Sequence, residues 1–222
     1  MEKYHYKEKG KTKERLNMIS LAKLYAEVFA LSPWNEYTKS QGCNTFFGLD
    51  TKPGSLCPHC KDMLQEAYPI QDTILHIKSE LDRPNSLLTI IENEKQIIGF
   101  AWGFSYKNCS EFISEKYRTD EMKIKLNNLF TQLNTSGRLF YFSECGVAPL
   151  FRGRGLSNEL TQTLITQAQT LQQSIVMRTN YQSPMIYVAR KFNMKQIMGP
   201  QNNEIINFTD QENLDRVLFI KN

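Results

Sequence analysis

The 222-residue chain contains no apolar run as long as the ~18–20 residues that a membrane-spanning helix needs. Its first residues lack the apolar segment of a secretory signal peptide, so we expect a cytoplasmic protein without a membrane partner. Five cysteines are an odd number, which argues against a disulfide framework. The net charge of +4 is small and is concentrated near the first residues, so nucleic acid is not an expected partner.

The two common phosphate-binding glycine motifs are also missing. GxxxxGK[ST] does not occur, and GxGxxG is incomplete because Asn158 follows Gly153 and Gly155. The same region nevertheless predicts a strand, a tight turn and a helix. Residues 138–147 are rich in β-branched and aromatic side chains, and apolar residues recur at helical spacing from Leu156. The glycines permit a tight turn, and the N–H groups that begin the helix are typical of a diphosphate site.

Val147-Ala148-Pro149 and the following loop resemble the pyrophosphate loop of the GCN5-related N-acetyltransferases, whose pattern is Arg/Gln-x-x-Gly-x-Gly/Ala after a V-x-P strand end. The resemblance covers about residues 86–220. It implies an α/β (α+β) fold with a mixed, mostly antiparallel central sheet of six to seven strands flanked by helices. It also implies that acetyl-CoA binds at Val147, Phe151, Arg152, Gly153, Arg154, Gly155 and Leu156. The alternative is a plain strand–turn–helix junction with solvated arginines.

The resemblance also implies two catalytic residues. Family members often carry a glutamate on the strand before the loop, and Glu144 is therefore the predicted base; an ion pair with Arg178 is the alternative. A tyrosine late in a following helix often protonates the CoA thiolate. Here Ala189 stands in that place, and Tyr187 is the predicted acid, with water or the product ammonium as alternatives. Cys145 is disfavoured as a nucleophile because no histidine is near it in sequence.

Residues 34–69 differ in character from the rest of the chain, with several glycines and prolines and a C-x-x-C turn. Thiolates at this spacing can bind one Zn²⁺ ion, which prefers four tetrahedral ligands. The predicted zinc ligands are Cys43, Cys57, Cys60 and His59, and His76, His5, Asp50 or water are alternatives for the fourth. A redox C-x-x-C or free thiols are the other interpretations. Zinc would fold a loop that has almost no core of its own.

We therefore expect a flexible basic terminus at residues 1–13 and one domain at residues 14–222, with a cysteine-rich insertion at 34–69 and a helical insertion at 110–133. The helical insertion would shape the acceptor side, cover the sheet, or form the contact of a homodimer. The predicted function is direct transfer of an acetyl group from acetyl-CoA to a primary amine, on a small molecule or a peptide, within a ternary complex. The alternative is a catalytically weak acyl-CoA-binding module that uses its zinc loop to dock a protein partner.

Overall fold

The structure places a strand at β7 and a helix at α5, where the sequence predicts a strand at residues 138–147 and a helix from Leu156. A computed structural model of the chain describes residues 5–8, 16–135, 137–199, 206–207 and 216–222. Its helices are α1 (Met18–Ala30), α2 (Ile70–Leu81), α3 (Cys109–Lys116), α4 (Asp120–Gln132), α5 (Leu156–Gln169) and α6 (Met185–Lys191). Its strands are β1 (His5–Glu8), β2 (Thr38–Lys39), β3 (Phe46–Phe47), β4 (Gln65–Glu66), β5 (Leu87–Asn93), β6 (Gln96–Tyr106), β7 (Leu139–Val147), β8 (Ser174–Asn180), β9 (Lys195–Gly199), β10 (Ile206–Asn207) and β11 (Arg216–Lys221). In the part of the chain so described, no helix has both the length and the apolar character to cross a membrane.

The main sheet runs in the order β1-β5-β6-β7-β8-β11-β9-β10, counting only the described strands. Its neighbours are antiparallel except for the parallel pairs β7–β8 and β9–β10. The predicted mixed, mostly antiparallel sheet with flanking helices is confirmed, and the short strands β1 and β10 extend its two edges. Of the flexible terminus expected at residues 1–13, only residues 5–8 are among the described residues; they form β1, whose backbone pairs with residues 89–92 of β5.

Alternating side chains of the sheet supply two apolar clusters. Phe140 and Phe142 belong to one cluster with α1, α2 and α5, whereas Leu139 and Tyr141 belong to a second cluster with α3 and α4. Successive residues of a strand point to opposite faces, so the two groups of helices cover opposite faces of the sheet. The helical insertion expected at 110–133 is therefore α3 and α4, which cover one face.

A bulge interrupts the pairing of β6 with β7 near the middle of the sheet. Trp102 pairs with Glu144 and Gly103 with Phe142, which leaves Ser143 as the extra residue. A Cβ on Gly103 would approach the Tyr141 carbonyl oxygen to 2.4 Å, so only glycine fits there. The bulge changes the direction of the side chains that follow on β7.

Residues 34–69, which we call the cysteine unit, form a separate small sheet in the order β3-β2-β4. Each strand has two residues. Its buried side chains include Thr38, Ser40, Cys57 and Leu64, whereas Leu49, Leu56 and Met63 are exposed. This amount of apolar burial is small for a folded segment of such length.

Candidate active site

A cleft opens where β7 separates from β8. The two strands pair in parallel from Leu139 with Ser174 to Phe142 with Met177, and their described residues pair no further. β7 continues to Val147 while paired with β6 on its other side. The second half of β7 therefore offers backbone groups along one edge, facing the cleft.

Two cavities meet in this cleft. The larger has a volume of about 480 Å³ and lies among α1, α2 and the ends of β7, β8 and β11, with Lys116 of α3 on its wall. The smaller has a volume of about 230 Å³ and lies against the turn between β7 and α5. Trp34, Cys145 and Met185 border both. An extended ligand bound at the turn would thus reach the larger cavity along β7.

The turn before α5 has the backbone geometry that its glycines predict. Gly153 has φ +77° and Gly155 has φ +82°, a left-handed conformation that other residues adopt only with strain. Gly155 is the N-cap of α5, and its carbonyl accepts from the N–H of Asn158 at 2.9 Å. A side chain at either glycine would meet no atom within 4 Å. The backbone conformation, rather than crowding, is what requires glycine here.

The residues predicted for the turn border the smaller cavity with one exception. Val147, Phe151, Arg152, Gly153, Gly155 and Leu156 line it. Arg154 is not on its wall; the guanidinium lies 5.1 Å from the centre of the Phe151 ring and donates to the Leu150 carbonyl at 3.4 Å. The Arg152 side chain donates from Nε to the Val147 carbonyl at 3.2 Å, which ties the turn to the end of β7.

Two carboxylates lie together in the larger cavity. Glu80 of α2 is buried, and its Oε2 accepts from Trp102 Nε1 at 2.7 Å and from Ser143 Oγ at 2.8 Å. Glu144 accepts a long hydrogen bond of 3.5 Å from the hydroxyl of Tyr25. Ligand atoms of Glu80, Glu144 and His76 all lie within 4.8 Å of one another. Glu80 therefore acts on Glu144 as a neighbouring carboxylate within the same cavity.

This environment raises the proton affinity of Glu144. Burial is the largest cause that raises its pKa well above the usual value, and the charge of Glu80 is the next. Burial and the charge of Glu144 likewise raise the pKa of Tyr25, so the phenol remains a donor. A carboxyl group with a raised pKa in a cleft has the properties of a general base that works near neutral pH.

The sequence analysis did not identify Glu80, although a signal was present. The buried residues of α2 are Thr73, Ile74, Ile77, Glu80 and Leu81, which share one face of the helix. An acid on an otherwise buried stripe requires partners, and such positions are often functional. The contact with Glu144 itself comes from tertiary packing and has no sequence pattern.

The rest of the larger cavity combines aromatic rings with charges of both signs. Further acidic groups are Glu36 and Asp72, and basic groups are Lys116, Arg178 and Arg216. The Arg216 guanidinium lies 4.8 Å from the centre of the Trp34 ring. Tyr68 donates a hydrogen bond to Glu36, and its ring meets that of Tyr25 edge-on at 5.2 Å.

Tyr187 is not near this site, which corrects its predicted role as the general acid. Its side chain is 75% exposed and lines neither of the two cavities. The reason is helical phase: Met185 borders both cavities, and Tyr187 lies two residues later, about 200° around α6. Cys145 does border both cavities, but burial raises the pKa of its thiol to about 12. That thiol stays protonated and is a poor nucleophile.

The cysteine unit brings together Cys43, Cys57 and Cys60, whose sulfur atoms lie within 4.8 Å of one another. We call these three residues the thiol cluster. Sγ of Cys43 and Sγ of Cys57 are 3.6 Å apart, close to the ~3.8 Å that a tetrahedral zinc ion with Zn–S bonds of ~2.3 Å would require. The hydroxyl of Ser40 lies 3.0 Å from Cys60 Sγ, and hydrogen bonding by Ser40 is the largest cause that lowers the pKa of Cys43 to about 6.

His59 does not join the thiol cluster, which corrects its prediction as a ligand. Its ring packs edge-on against Phe47 at 5.3 Å, and its contact with the cluster is made by its backbone, whose N–H donates to Cys57 Sγ at 3.4 Å. This bond follows from the turn, in which the Lys61 N–H also donates to the Cys57 carbonyl at 3.0 Å. The turn directs the backbone of residue 59, and not its side chain, toward the sulfur atoms.

The model of the Acetyltransferase (GNAT) family matches residues 55–192 of the chain. No curated protein matches the chain significantly. The fold resembles that of the phosphinothricin acetyltransferase from Sinorhizobium meliloti in complex with AcCoA, with a TM-score of 0.54 and 13% identity over 98% of this chain and 87% of that chain. It also resembles yncA, a putative acetyltransferase from Salmonella typhimurium with its cofactor acetyl-CoA, with a TM-score of 0.51 and 9% identity over 98% of this chain and 92% of that chain. A polyamine N-acetyltransferase of Drosophila melanogaster has a TM-score of 0.52 and 12% identity over 99% of both chains.

Proposed function

The chain belongs to the acetyltransferase (GNAT) family, and on this premise we propose that it is an N-acetyltransferase that moves an acetyl group from acetyl-CoA to a primary amine. The observation that carries the proposal is the position of Glu144. It lies in the larger cavity, one residue before Cys145, which also borders the cavity at the glycine turn. A base and a site suited to a diphosphate are therefore joined by one cleft.

Acetyl-CoA would bind with its diphosphate at the start of α5. The first N–H groups of a helix are positively polarised and lack partners within the helix, which suits an anion. Gly153 and Gly155 line this end of the cavity without side chains of their own. The pantetheine arm would then extend along the edge of β7 that β8 leaves unpaired, where backbone groups can bind it as a strand binds a neighbour.

The acceptor would enter the larger cavity as an ammonium ion, attracted by Glu36, Asp72, Glu80 and Glu144. An alkyl ammonium with a pKa of ~10.4 is almost entirely protonated near pH 7, and only the neutral amine attacks a carbonyl. Glu144 would take that proton, directly or through a water molecule. The amine nitrogen then forms a bond to the thioester carbon, and the carbon–sulfur bond breaks to release the CoA thiolate.

Transfer would be direct, within a ternary complex, because the thiol that borders both cavities stays protonated. The thiolate would be protonated by water or by the product ammonium, since Tyr187 is outside both cavities. One structural neighbour is named as a phosphinothricin acetyltransferase and another as a polyamine N-acetyltransferase, so the names give two different acceptors. We therefore propose a primary amine, on a small molecule or a peptide, as the acceptor class.

We further propose that the thiol cluster binds one structural zinc ion. The sulfur spacing fits a tetrahedral ion, and the lowered pKa of Cys43 favours a thiolate ligand. With His59 turned away, water or the buried Ser40 hydroxyl would complete the coordination. Because zinc thiolates require reduced cysteines, the site suits a reducing compartment such as the cytoplasm.

Isothermal titration with acetyl-CoA, followed by an assay against a panel of primary amines, tests the proposal. Arg152→Ala and Arg154→Ala form a matched pair, because both remove an arginine from the same turn and only Arg152 borders the cavity. We expect Arg152→Ala to weaken acetyl-CoA binding by about tenfold, the value of about one charge-assisted hydrogen bond, and Arg154→Ala to weaken it less. Absence of acetyl-CoA binding by the wild-type protein would remove the enzyme proposal.

A further inference from the structure

The cysteine unit connects the thiol cluster to the larger cavity through two short strands. β2 begins two residues after Glu36, which borders the cavity, and ends one residue before Ser40, which contacts Cys60 Sγ at 3.0 Å. β4 pairs with β2 and leads directly to Ala67 and Tyr68, which also border the cavity. β2 is therefore followed by a residue that contacts the thiol cluster, and both β2 and the paired β4 adjoin residues of the cavity wall.

The wall that they form is close to the catalytic carboxylate. The Tyr68 hydroxyl donates a hydrogen bond to Glu36, and the Tyr68 ring packs edge-on against Tyr25 at 5.2 Å. Tyr25 in turn donates to Glu144 at 3.5 Å. Phe46, which lies three residues after Cys43, stacks on the outer side of Tyr68 with ring centres 6.4 Å apart. Displacement of β2 or β3 would therefore move Tyr68 and open this side of the cavity.

The cysteine unit has little besides the thiol cluster to hold these strands. Its strands have two residues each, and the apolar side chains of Leu49, Leu56 and Met63 are 58–65% exposed. Isolated pairs of such short strands are not stable in water. Where a segment lacks a core, the free energy of metal binding becomes its folding free energy.

We propose that metal binding at the thiol cluster controls the acceptor side of the active site and leaves the acetyl-CoA side intact. This inference rests on the proposed acetyltransferase function. Zinc bound by Cys43, Cys57 and Cys60 fixes β2 and β4, which hold Glu36 and Tyr68 against Tyr25. The walls of the smaller cavity come from α1, β7, the glycine turn, the start of α6 and residues 32–34. Of these, only Trp34 belongs to the cysteine unit, and its ring packs on Phe29 of α1 with ring centres 5.3 Å apart, so acetyl-CoA binding persists when the metal is absent.

The test compares Cys57→Ser with His59→Ala, which alters the same turn outside the thiol cluster. Zinc content is measured with a chromogenic chelator, acetyl-CoA affinity by isothermal titration, and the acceptor KM by steady-state kinetics. We expect Cys57→Ser to lose zinc and to raise the acceptor KM by more than about tenfold, with an acetyl-CoA Kd within about threefold of wild type. His59→Ala should retain zinc and an unchanged KM.

A second variant separates wall position from metal content. Tyr68→Phe removes the hydroxyl that donates a hydrogen bond to Glu36. It should raise the acceptor KM by about two- to tenfold while zinc content stays unchanged. Hydrogen exchange adds a readout that needs no turnover: removal of zinc from the wild-type protein should speed exchange in residues 36–40 and 64–68 but not in α5.

The outcomes separate this inference from the proposed function. Three outcomes would overturn the inference and leave the enzyme proposal intact. The acceptor KM is the same in zinc-free protein, or hydrogen exchange is equal with and without zinc. The third is that wild-type protein produced in zinc-containing medium contains no zinc after purification. Loss of acetyl-CoA binding together with faster exchange in α5 would also overturn it, because the effect would then be global unfolding. A wild-type protein that binds zinc but not acetyl-CoA would remove the proposed function, and the exchange data would still decide whether metal orders the wall.

Discussion

Replacing Glu144 with glutamine removes the proposed base while keeping the size of the side chain. General-base catalysis contributes about 10²–10⁴-fold to a rate, or about 3–5 kcal/mol of the barrier. The amine gives a similar figure: at pH 7.4 an ammonium of pKa ~10.4 is only about 0.1% neutral, so an enzyme without a base depends on that fraction. We therefore expect kcat of Glu144→Gln to fall about 10³-fold near pH 7.4.

The dependence of the rate on pH is the sharper measurement. A base acts only when deprotonated, so wild-type activity should fall as pH decreases through the raised pKa of Glu144. Glu144→Gln should lose this transition and gain rate about tenfold per pH unit up to the pKa of the amine. Both pH–rate profiles would be recorded by assays of CoA release at fixed times from pH 5.5 to 9.5. Acetyl-CoA and the acceptor would both be saturating.

Two controls test the physical basis of this prediction. Two carboxylate oxygens within 4.8 Å of each other repel by at least about 3.5 kcal/mol at an effective dielectric constant of about 20, so Glu80→Gln should move the acidic transition to lower pH. Asp72→Asn makes the same change of charge at an exposed position of the same cavity and should leave that transition in place. If the pH–rate profiles of wild type and Glu144→Gln run parallel and their rates differ by less than about tenfold, the assignment of Glu144 as the base is refuted.

Because its pKa is raised in the folded state, the contribution of Glu144 to stability is complete below its unfolded pKa of ~4.3 and is lost as pH rises through the folded value. Glu144→Gln should therefore raise Tm at pH 8 but not at pH 4, as measured by calorimetry. Gly155→Val, at φ +82°, should cost about 1–2 kcal/mol of unfolding free energy and weaken acetyl-CoA binding in a protein that still folds, as followed by urea unfolding and titration. Tyr187→Phe should keep kcat within about twofold of wild type, and a larger loss would restore its role as the acid.

Local patterns were sufficient to predict most of the secondary structure and the glycine turn. Apolar periodicity placed α5 after the turn, and the need for a left-handed backbone explains Gly153 and Gly155 without reference to distant residues. The spacing of Cys57 and Cys60 predicted their approach, and Cys43 joins them as expected. The signals for these features lie within a few residues of one another, or in the chemistry of the side chains themselves.

Side-chain directions were harder to predict than the elements that carry them. The prediction for Tyr187 failed because it depended on which face of α6 meets the cleft. That face follows from the residue at which α6 begins, and element boundaries are the least certain part of a sequence prediction. His59 failed for a related reason, since the turn directs its backbone to the cysteine sulfur. The strand at residues 5–8 depends on an edge of β5 that lies more than eighty residues away. Such contacts arise from the fold rather than from the local pattern.

The pairing of Glu80 with Glu144 links folding to chemistry in one contact. Glu80 lies on the buried face of α2, where an acid lowers stability unless it is hydrogen-bonded. Trp102 and the bulged Ser143 supply the two donors, and the same bulge lies next to Glu144 on β7. Burial and, after it, the charge of Glu80 raise the pKa of the neighbouring Glu144. The strength of the proposed base therefore depends on its own burial and, in second place, on a residue sixty-four positions earlier in the chain. An acid that is costly to bury on α2 thus helps to make Glu144 suited to proton transfer.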